Sequence, residues 1–280
     1  MNITVLTLFP EVVEPFLHHS IINRAVEKGL VTFNVVQLRD FAHDKHKTVD
    51  DHPFGGGAGM LLKIEPLVEA IEHIEKQFGK AYKIALSPKG TLLTQSWARD
   101  RISHLESRIA DLETNGTDQM NDARCVIRDH VLLICGHYEG FDARIVDYID
   151  EELSIGNYVL SSGEAAAMVV IDALVRLIPG VLKKEDATVN ETFFEIDREE
   201  LFTITHDPDL QTDDSNPTFT ENCKLKTGNS AKISLLEYPQ YTLPREFRGK
   251  KVPDVLISGD PKKIREWQIQ EAWKETKKKA

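Results

Sequence analysis

ELSIGNYVLSSGEAAAM, residues Glu152 to Met168, follows closely on CGHYEGFD, residues Cys135 to Asp142, and these two stretches decide how the chain is read. In each, an apolar strand-like run, Val131 to Cys135 and Tyr158 to Leu160, sits beside clustered glycines. Glycine has no Cβ, so backbone amides at such places can come close to a flat or polar ligand. Two loops of this kind point to one small-molecule pocket.

Working outward, Ile3 to Leu8 reads as a buried strand, Glu11 to Lys28 as a helix stopped by Gly29, and Val31 to Leu38 as a second strand. Glu65 to Phe78 repeats the helical spacing, and Tyr82 to Leu86 reads as a strand entering the turn SPKG. Strands alternating with helices predict an α/β fold with a mostly parallel sheet and ligands at the carboxyl ends of its strands. The loops Leu86 to Gly90, Gly136 to Gly140 and Ile155 to Gly163 then converge at one edge.

Two stretches interrupt this order. Between Asp100 and Arg128 the chain is polar and poor in periodic apolar residues, which predicts a surface insertion over about 100–128. From Lys183 to Ser234 it is rich in Asp, Asn, Thr and Pro, a linker composition that favours disorder and places a domain boundary. The expected organisation is a ligand-binding domain over 1–182, an extended linker over 183–234, and a small, mostly helical domain over 235–280. In that last domain LLEYPQYTLP is extended and VPDVLISGDP carries a short strand and turn. Pro261 to Lys278 reads as a helix with Ile264, Trp267 and Ala272 inward.

The 280 residues carry a formal charge of -11, which argues against a generic polyanion-binding surface and allows only local basic ones. Arg39, His43, Lys45, His46 and Lys47 form one basic run, and lysines load the C-terminal end. Three cysteines, Cys125, Cys135 and Cys223, show neither a disulfide framework nor zinc-like spacing. The opening MNITVLTLFP lacks the pattern of a secretion signal and is too short to span a bilayer, so the expectation is a cytoplasmic protein with no membrane contact.

VDDHPFGGGAGMLL, residues Val49 to Leu62, is the densest glycine cluster, yet it lacks both the Lys-Ser/Thr ending of a phosphate loop and the placement of a dinucleotide loop. Its basic lead-in, followed by Asp50, Asp51 and glycines, suits a loop closing over a large polar substrate. Glu139, beside Tyr138 and between Gly136 and Gly140, is placed to accept from a ribose hydroxyl, an amino group or a base edge. Arg176, near the end of an apolar helix, either complements the helix dipole or holds a developing anion. The histidines show no metal-ligand spacing, and no metal site is expected.

The ordered set of blocks MNITVLTLFPE, DDHPFGGGAGM, LSPKG, CGHYEGFDAR, ELSIGNYVLSSGE, RLIPGVL, LEYPQYTLP and VPDVLISGDPKKIREW resembles the bacterial tRNA (guanine-N(1))-methyltransferases. Those enzymes belong to the knotted SPOUT class and modify the guanosine 3′ of the anticodon, position 37. The blocks run in family order from Met1 to Trp267, outside the two interruptions. The resemblance implies a parallel sheet with a deep trefoil knot toward the C-terminal half of the first domain, an exception to the rule that chains do not thread themselves. It also implies S-adenosylmethionine as methyl donor, tRNA as substrate, and a homodimer whose site joins the knot of one subunit to the linker and C-terminal domain of the other.

Carried over by motif, Leu86, Ser87 and Pro88, then Gly136, Tyr138, Glu139 and Gly140, line the donor pocket. Ile155, Gly156, Asn157, Tyr158, Val159, Leu160 and Gly163 complete it. His46, Asp50, Gly57, Gly59, Met60 and Ser162 fall on the substrate side. Methylating a ring nitrogen that carries a proton asks for a general base and for stabilisation of charge on the adjacent carbonyl oxygen. Arg176 matches the family arginine for the second role. For the first, the family has an acidic-Asp-Ser-Phe pattern where this chain has Asn190-Glu191-Thr192-Phe193, so Glu191 takes the base position, with Asp186, Asp213 and Asp214 as alternatives.

Other departures are His137 for an arginine-like residue, Asn157 for an aspartate, Ser162 for a glycine, and Ala165 and Ala166 for a bulkier pair. The sequence neither requires nor excludes a divalent ion. Two rivals stand beside this reading, a non-catalytic knotted tRNA-binding protein and a SPOUT methyltransferase acting on another RNA position.

Overall fold

A computed structural model describes residues 1–56, 59–103, 130–182, 191–210 and 232–279. Gly57, Asp186, Asp213, Asp214, Cys125, Cys223 and most of the 100–128 stretch lie outside them. The chain divides into two compact units, Met1–Lys183 and Lys184–Ala280.

β1 (Asn2–Thr7) and β6 (His130–Cys135) hold the centre of a five-stranded parallel sheet. The other strands are β2 (Thr32–Gln37), β5 (Tyr82–Leu92) and β7 (Glu151–Ser154), in the order β2-β1-β6-β5-β7. Both strands are buried on both faces and largely apolar, as strands covered by helices on each side are. Ile3, Val5, Val131, Leu133 and Cys135 face one core with α1 (Pro10–Leu17), α2 (Ser20–Glu27) and α5 (Glu164–Val175). Leu6, Leu132 and Ile134 face the other, with α3 (Ile64–Phe78). A further helix, α4, runs over residues 95–103, and the short pair β3 (Asp50–Asp51) and β4 (Leu61–Leu62) is antiparallel.

Three local readings change. The helix expected over Glu11 to Lys28 is two helices, because His19 adopts extended backbone and begins a new start at Ser20. The strand expected at Tyr158 to Leu160 lies earlier, at Glu151–Ser154, and Tyr158, Val159 and Leu160 are exposed loop residues. β7 is an edge strand, so it carries acids that a central strand could not. Glu151 accepts from Tyr82 Oη at 3.0 Å, Trp97 Nε1 at 3.0 Å and Arg101 at 2.8 Å. The SPKG residues do not end their strand. Leu86 and Thr91 both pair with Leu153, so Ser87 to Gly90 bulge out of β5 and the ladder resumes beyond them.

One buried polar network sits inside this unit. His130 lies between the Thr4 hydroxyl, 2.8 Å from Nε2, and the Gly79 carbonyl, 3.1 Å from Nδ1. The carbonyl can only accept, so Nδ1 carries the proton and Nε2 accepts from Thr4. Burial lowers the His130 pKa from its ordinary 6.5. A depressed histidine leaves its stabilisation intact above the unfolded value and loses it as pH falls toward the folded one. We therefore expect the thermal midpoint to drop between about pH 7 and pH 5 by more in the wild type than in His130→Gln. Parallel melting curves for the two proteins measure the difference.

The second unit packs β8 (Phe194–Asp197) antiparallel to β9 (Lys232–Leu235) beneath α6 (Arg198–Thr205) and α8 (Pro261–Lys279). Phe194, Ile196, Leu201, Ile233, Leu235, Ile269, Ala272 and Trp273 form its core. β8 and α6 fall in a stretch read as extended linker. FEID alternates apolar and acidic residues at strand period, and its apolar pair is what reaches the core. On α8, Ala272 is buried as expected, while Ile269 and Trp273 supply the core contact in place of Ile264 and Trp267, which are half-buried. VPDVLISGDP holds a short helix, α7 (Asp254–Ile257), rather than a strand. Among the described residues no helix is long and apolar enough to cross a membrane.

Candidate active site at the ends of three strands

β5, β6 and β7 are neighbours and parallel, so the bulge of β5 and the loops leaving the carboxyl ends of β6 and β7 meet at one place. They enclose a cavity of about 450 Å³. The bulge contributes Ser87 and Pro88, and the turn after β6 contributes Gly136, Tyr138, Glu139 and Gly140. The segment after β7 contributes Ile155, Gly156, Tyr158, Val159, Leu160 and Gly163, together with Ser162. Leu86 and Asn157 are not on the wall. Leu86 is a buried residue of β5 whose carbonyl lies beneath Gly136, and Asn157 is exposed.

The last of these segments returns across the end of β6. Gly163 donates its N–H to the Gly136 carbonyl at 2.7 Å, and His137 and Ser162 form an isolated antiparallel bridge. The approach is too close for a side chain. A Cβ on Gly163 would stand 2.6 Å from the Gly136 nitrogen and 2.8 Å from Cys135 Cα. α5 then begins with Glu164, which is buried and accepts from the Thr7 hydroxyl. This bond ties the end of β1 to the start of α5, where a carboxylate also suits the helix dipole. Burial pushes the neighbouring Cys135 thiol well above its usual range, with the Glu164 charge adding to it.

Lys89 and Glu152, which the motif reading passed over, also line the cavity and pair at 3.2 Å. A bulged strand end and an edge strand bring them together, a juxtaposition invisible in sequence spacing. Phe141 and Ala166 supply apolar wall that glycine-led reading also missed.

The glycine cluster is fastened to this site. Glu139 donates its N–H to the Met60 carbonyl at 3.0 Å, Leu62 donates to Gly140 at 2.9 Å, and Asp142 donates to Leu62 at 3.0 Å. Gly59 lies against the Glu139 side chain, where a Cβ would come within 2.5 Å of a carboxylate oxygen. Asp50 is buried in β3, and His46 is exposed in the turn that Asp44 closes by accepting from the N–H groups of His46 and Thr48. At the far side Arg144 hydrogen bonds hold the Asp142 carboxyl at about 2.

Arg176 caps α5, its N–H directed at the Asp172 and Leu174 carbonyls, and does not line the cavity. Glu191 belongs to the second unit, where its carbonyl accepts the Phe194 N–H at 3.0 Å. Among the described residues no group of three or more His, Cys, Asp or Glu is arranged to hold a metal ion.

The cavity is thus walled by loops whose glycines sit where one segment presses against another. The model of the family described as tRNA (Guanine-1)-methyltransferase TrmD matches residues 1–110, 100–214 and 218–280. The chain is 37% identical over 279 residues to a tRNA (guanine-N(1)-)-methyltransferase of Borrelia duttonii (strain Ly), covering 99% of this chain and 90% of that one. It is 37% identical over 282 residues to the protein of that name from Clostridioides difficile (strain 630), covering 100% and 95%. The crystal structure of tRNA (m1G37) methyltransferase from Aquifex aeolicus superposes with a TM-score of 0.64 at 29% identity, covering 99% of this chain and 92% of that one. With the match running through every block that builds the cavity, the chain belongs to the tRNA (guanine-1)-methyltransferase family.

Proposed function

We propose that this protein transfers a methyl group from S-adenosylmethionine to N1 of guanosine 37 in tRNA. It is an enzyme of the methyltransferase class, and its substrate is tRNA. The observation that carries the reading is the single cavity built from LSPKG, CGHYEG and SIGNYVLSSG, the blocks that mark the family.

The donor supplies an electrophilic methyl on a sulfonium. This chain's residues fit such a molecule: Gly136, Gly156 and Gly163 bring backbone to the cavity wall, and Glu139 offers acceptor oxygens to hydroxyl or amino groups. Ile155, Leu160 and Ala166 keep water from the reacting face. Glu191 takes the proton from N1, and Arg176 offsets negative charge on O6 as the new bond forms. His46, Asp50 and the loop through Gly57, Gly59 and Met60 hold the acceptor nucleotide over Ser162.

In this reading the return of residues 155–163 across the end of β6 is part of a deep trefoil knot, and the close Gly163–Gly136 approach supports it. The domain over 1–182 carries the donor, the 183–234 stretch, whose described residues fold with the second unit, brings Glu191, and the residues over 235–280 grip tRNA. Two copies pair so that each site takes Glu191 from the partner, and the enzyme works in the cytoplasm. The test is transfer of labelled methyl to an unmodified tRNA transcript carrying guanosine 37 and to one carrying adenosine there. Label is expected in the first alone; equal labelling of both contradicts the assignment.

A further inference from the structure

The part of the second unit proposed to grip tRNA carries a hairpin whose role in that grip is not yet assigned. β10 (Glu246–Phe247) pairs antiparallel with β11 (Lys250–Lys251), and Arg248 and Gly249 turn the chain with φ of 51° and 78°. A two-residue turn with both φ values positive keeps the strands in register with their natural twist. It also thrusts the tip outward. Every residue from Arg245 to Lys251 is exposed, and Phe247 is 61% exposed.

At the hairpin tip the Phe247 ring is open to a partner, and its surroundings indicate of what kind. The Arg248 guanidinium lies 5.2 Å from the ring centre, and the tip bears Arg245, Arg248, Lys250 and Lys251 against one acid, Glu246. Among the described residues only Lys251 of these four has a carboxylate partner, Glu246 at 3.7 Å. On a chain of formal charge -11 this is a concentrated positive point. Neighbouring Leu243 and Tyr241 are exposed as well, at 81% and 49%.

An aromatic face among unneutralised cations is the arrangement by which proteins hold an unstacked nucleotide, the ring stacking on the base and the cations meeting phosphates. We infer that the 245–251 hairpin is a nucleotide-stacking site for tRNA, with Phe247 under an unpaired base and Arg245, Arg248 and Lys250 on the flanking phosphates. The inference rests on tRNA being the substrate. It adds a contact distinct from the methyl-accepting guanosine, placed where salt and base stacking separate cleanly.

The experiment measures tRNA affinity of the full-length protein across a potassium chloride series, with donor binding and oligomer mass recorded for each variant. Phe247→Ala is expected to weaken tRNA binding by about 5- to 150-fold, the range of one base stack, without changing the salt slope. Phe247→Tyr restores it. Arg248→Gln with Lys250→Gln is expected to reduce the slope of log affinity on log salt by about 1.4 to 1.8, two phosphates' worth. Unchanged tRNA affinity in both variants, with the wild type still methylating tRNA, overturns the hairpin assignment alone. A wild type that binds no tRNA overturns the parent reading. Loss of oligomer mass in Phe247→Ala, or loss of binding to phosphatidylserine vesicles with tRNA affinity unchanged, reassigns the ring to a protein or lipid surface and overturns the inference.

Discussion

Glu191→Gln is expected to slow methyl transfer by about 10²- to 10⁴-fold, the usual contribution of a positioned general base. Glutamine keeps the length and hydrogen-bonding shape of the side chain but cannot take the N1 proton. Affinity for S-adenosylmethionine should hold within about twofold, because interactions made only in the transition state leave ground-state binding alone. Single-turnover rates with saturating tRNA, set beside calorimetric donor titration, separate the two quantities. Unchanged turnover would move the base to Asp186, Asp213 or Asp214.

Gly163→Ala is expected to disable the donor pocket. The substituent would meet the Gly136 nitrogen at 2.6 Å and the Cys135 backbone at 2.8 and 3.1 Å, and none of these atoms belongs to a side chain that can rotate away. Gly163 has an ordinary φ of -79°, so the cost is collision rather than torsional strain. Overpacking of this kind destabilises by about 1–3 kcal/mol. The pocket pays more heavily than the fold, since displacing the 155–163 segment by about 1 Å costs on the order of 10²-fold in kcat/KM. Gly29→Ala is the control. Gly29 has φ of 69° and nothing within 4 Å of its added Cβ, so it should lose about 1 kcal/mol of stability with donor affinity unaltered. Chemical denaturation and donor titration of both variants measure the contrast.

Much of the first unit is legible in the amino-acid sequence. β6 is a continuous apolar run, which only a strand covered on both faces tolerates, and α3 keeps helical spacing to its glycine stop. The pocket loops announce themselves because glycine is needed wherever backbone meets backbone or ligand. β7 escapes because EELS looks like a solvated loop. Its acids are strand-compatible through Tyr82, Trp97, Arg101 and Lys89, partners that come from distant parts of the chain. The same blindness hides the Thr7–Glu164 bond, whose ends are 157 residues apart. In the second unit the acids and threonines interleaved around residues 191–210 mask β8 and α6, which nevertheless send Phe194, Ile196 and Leu201 into the core. Arg176 and Glu191 were found by motif alone, since neither burial nor spacing distinguishes them from a helix cap and a turn acid.

The most direct measurement is to incubate the purified protein with labelled S-adenosylmethionine and an unmodified tRNA transcript bearing guanosine 37, then digest the product and locate the methylated nucleoside by mass spectrometry. N1-methylguanosine at position 37 and nowhere else is the predicted result. Donor and tRNA binding without any methylated nucleoside, or methyl found at another RNA position, would contradict it.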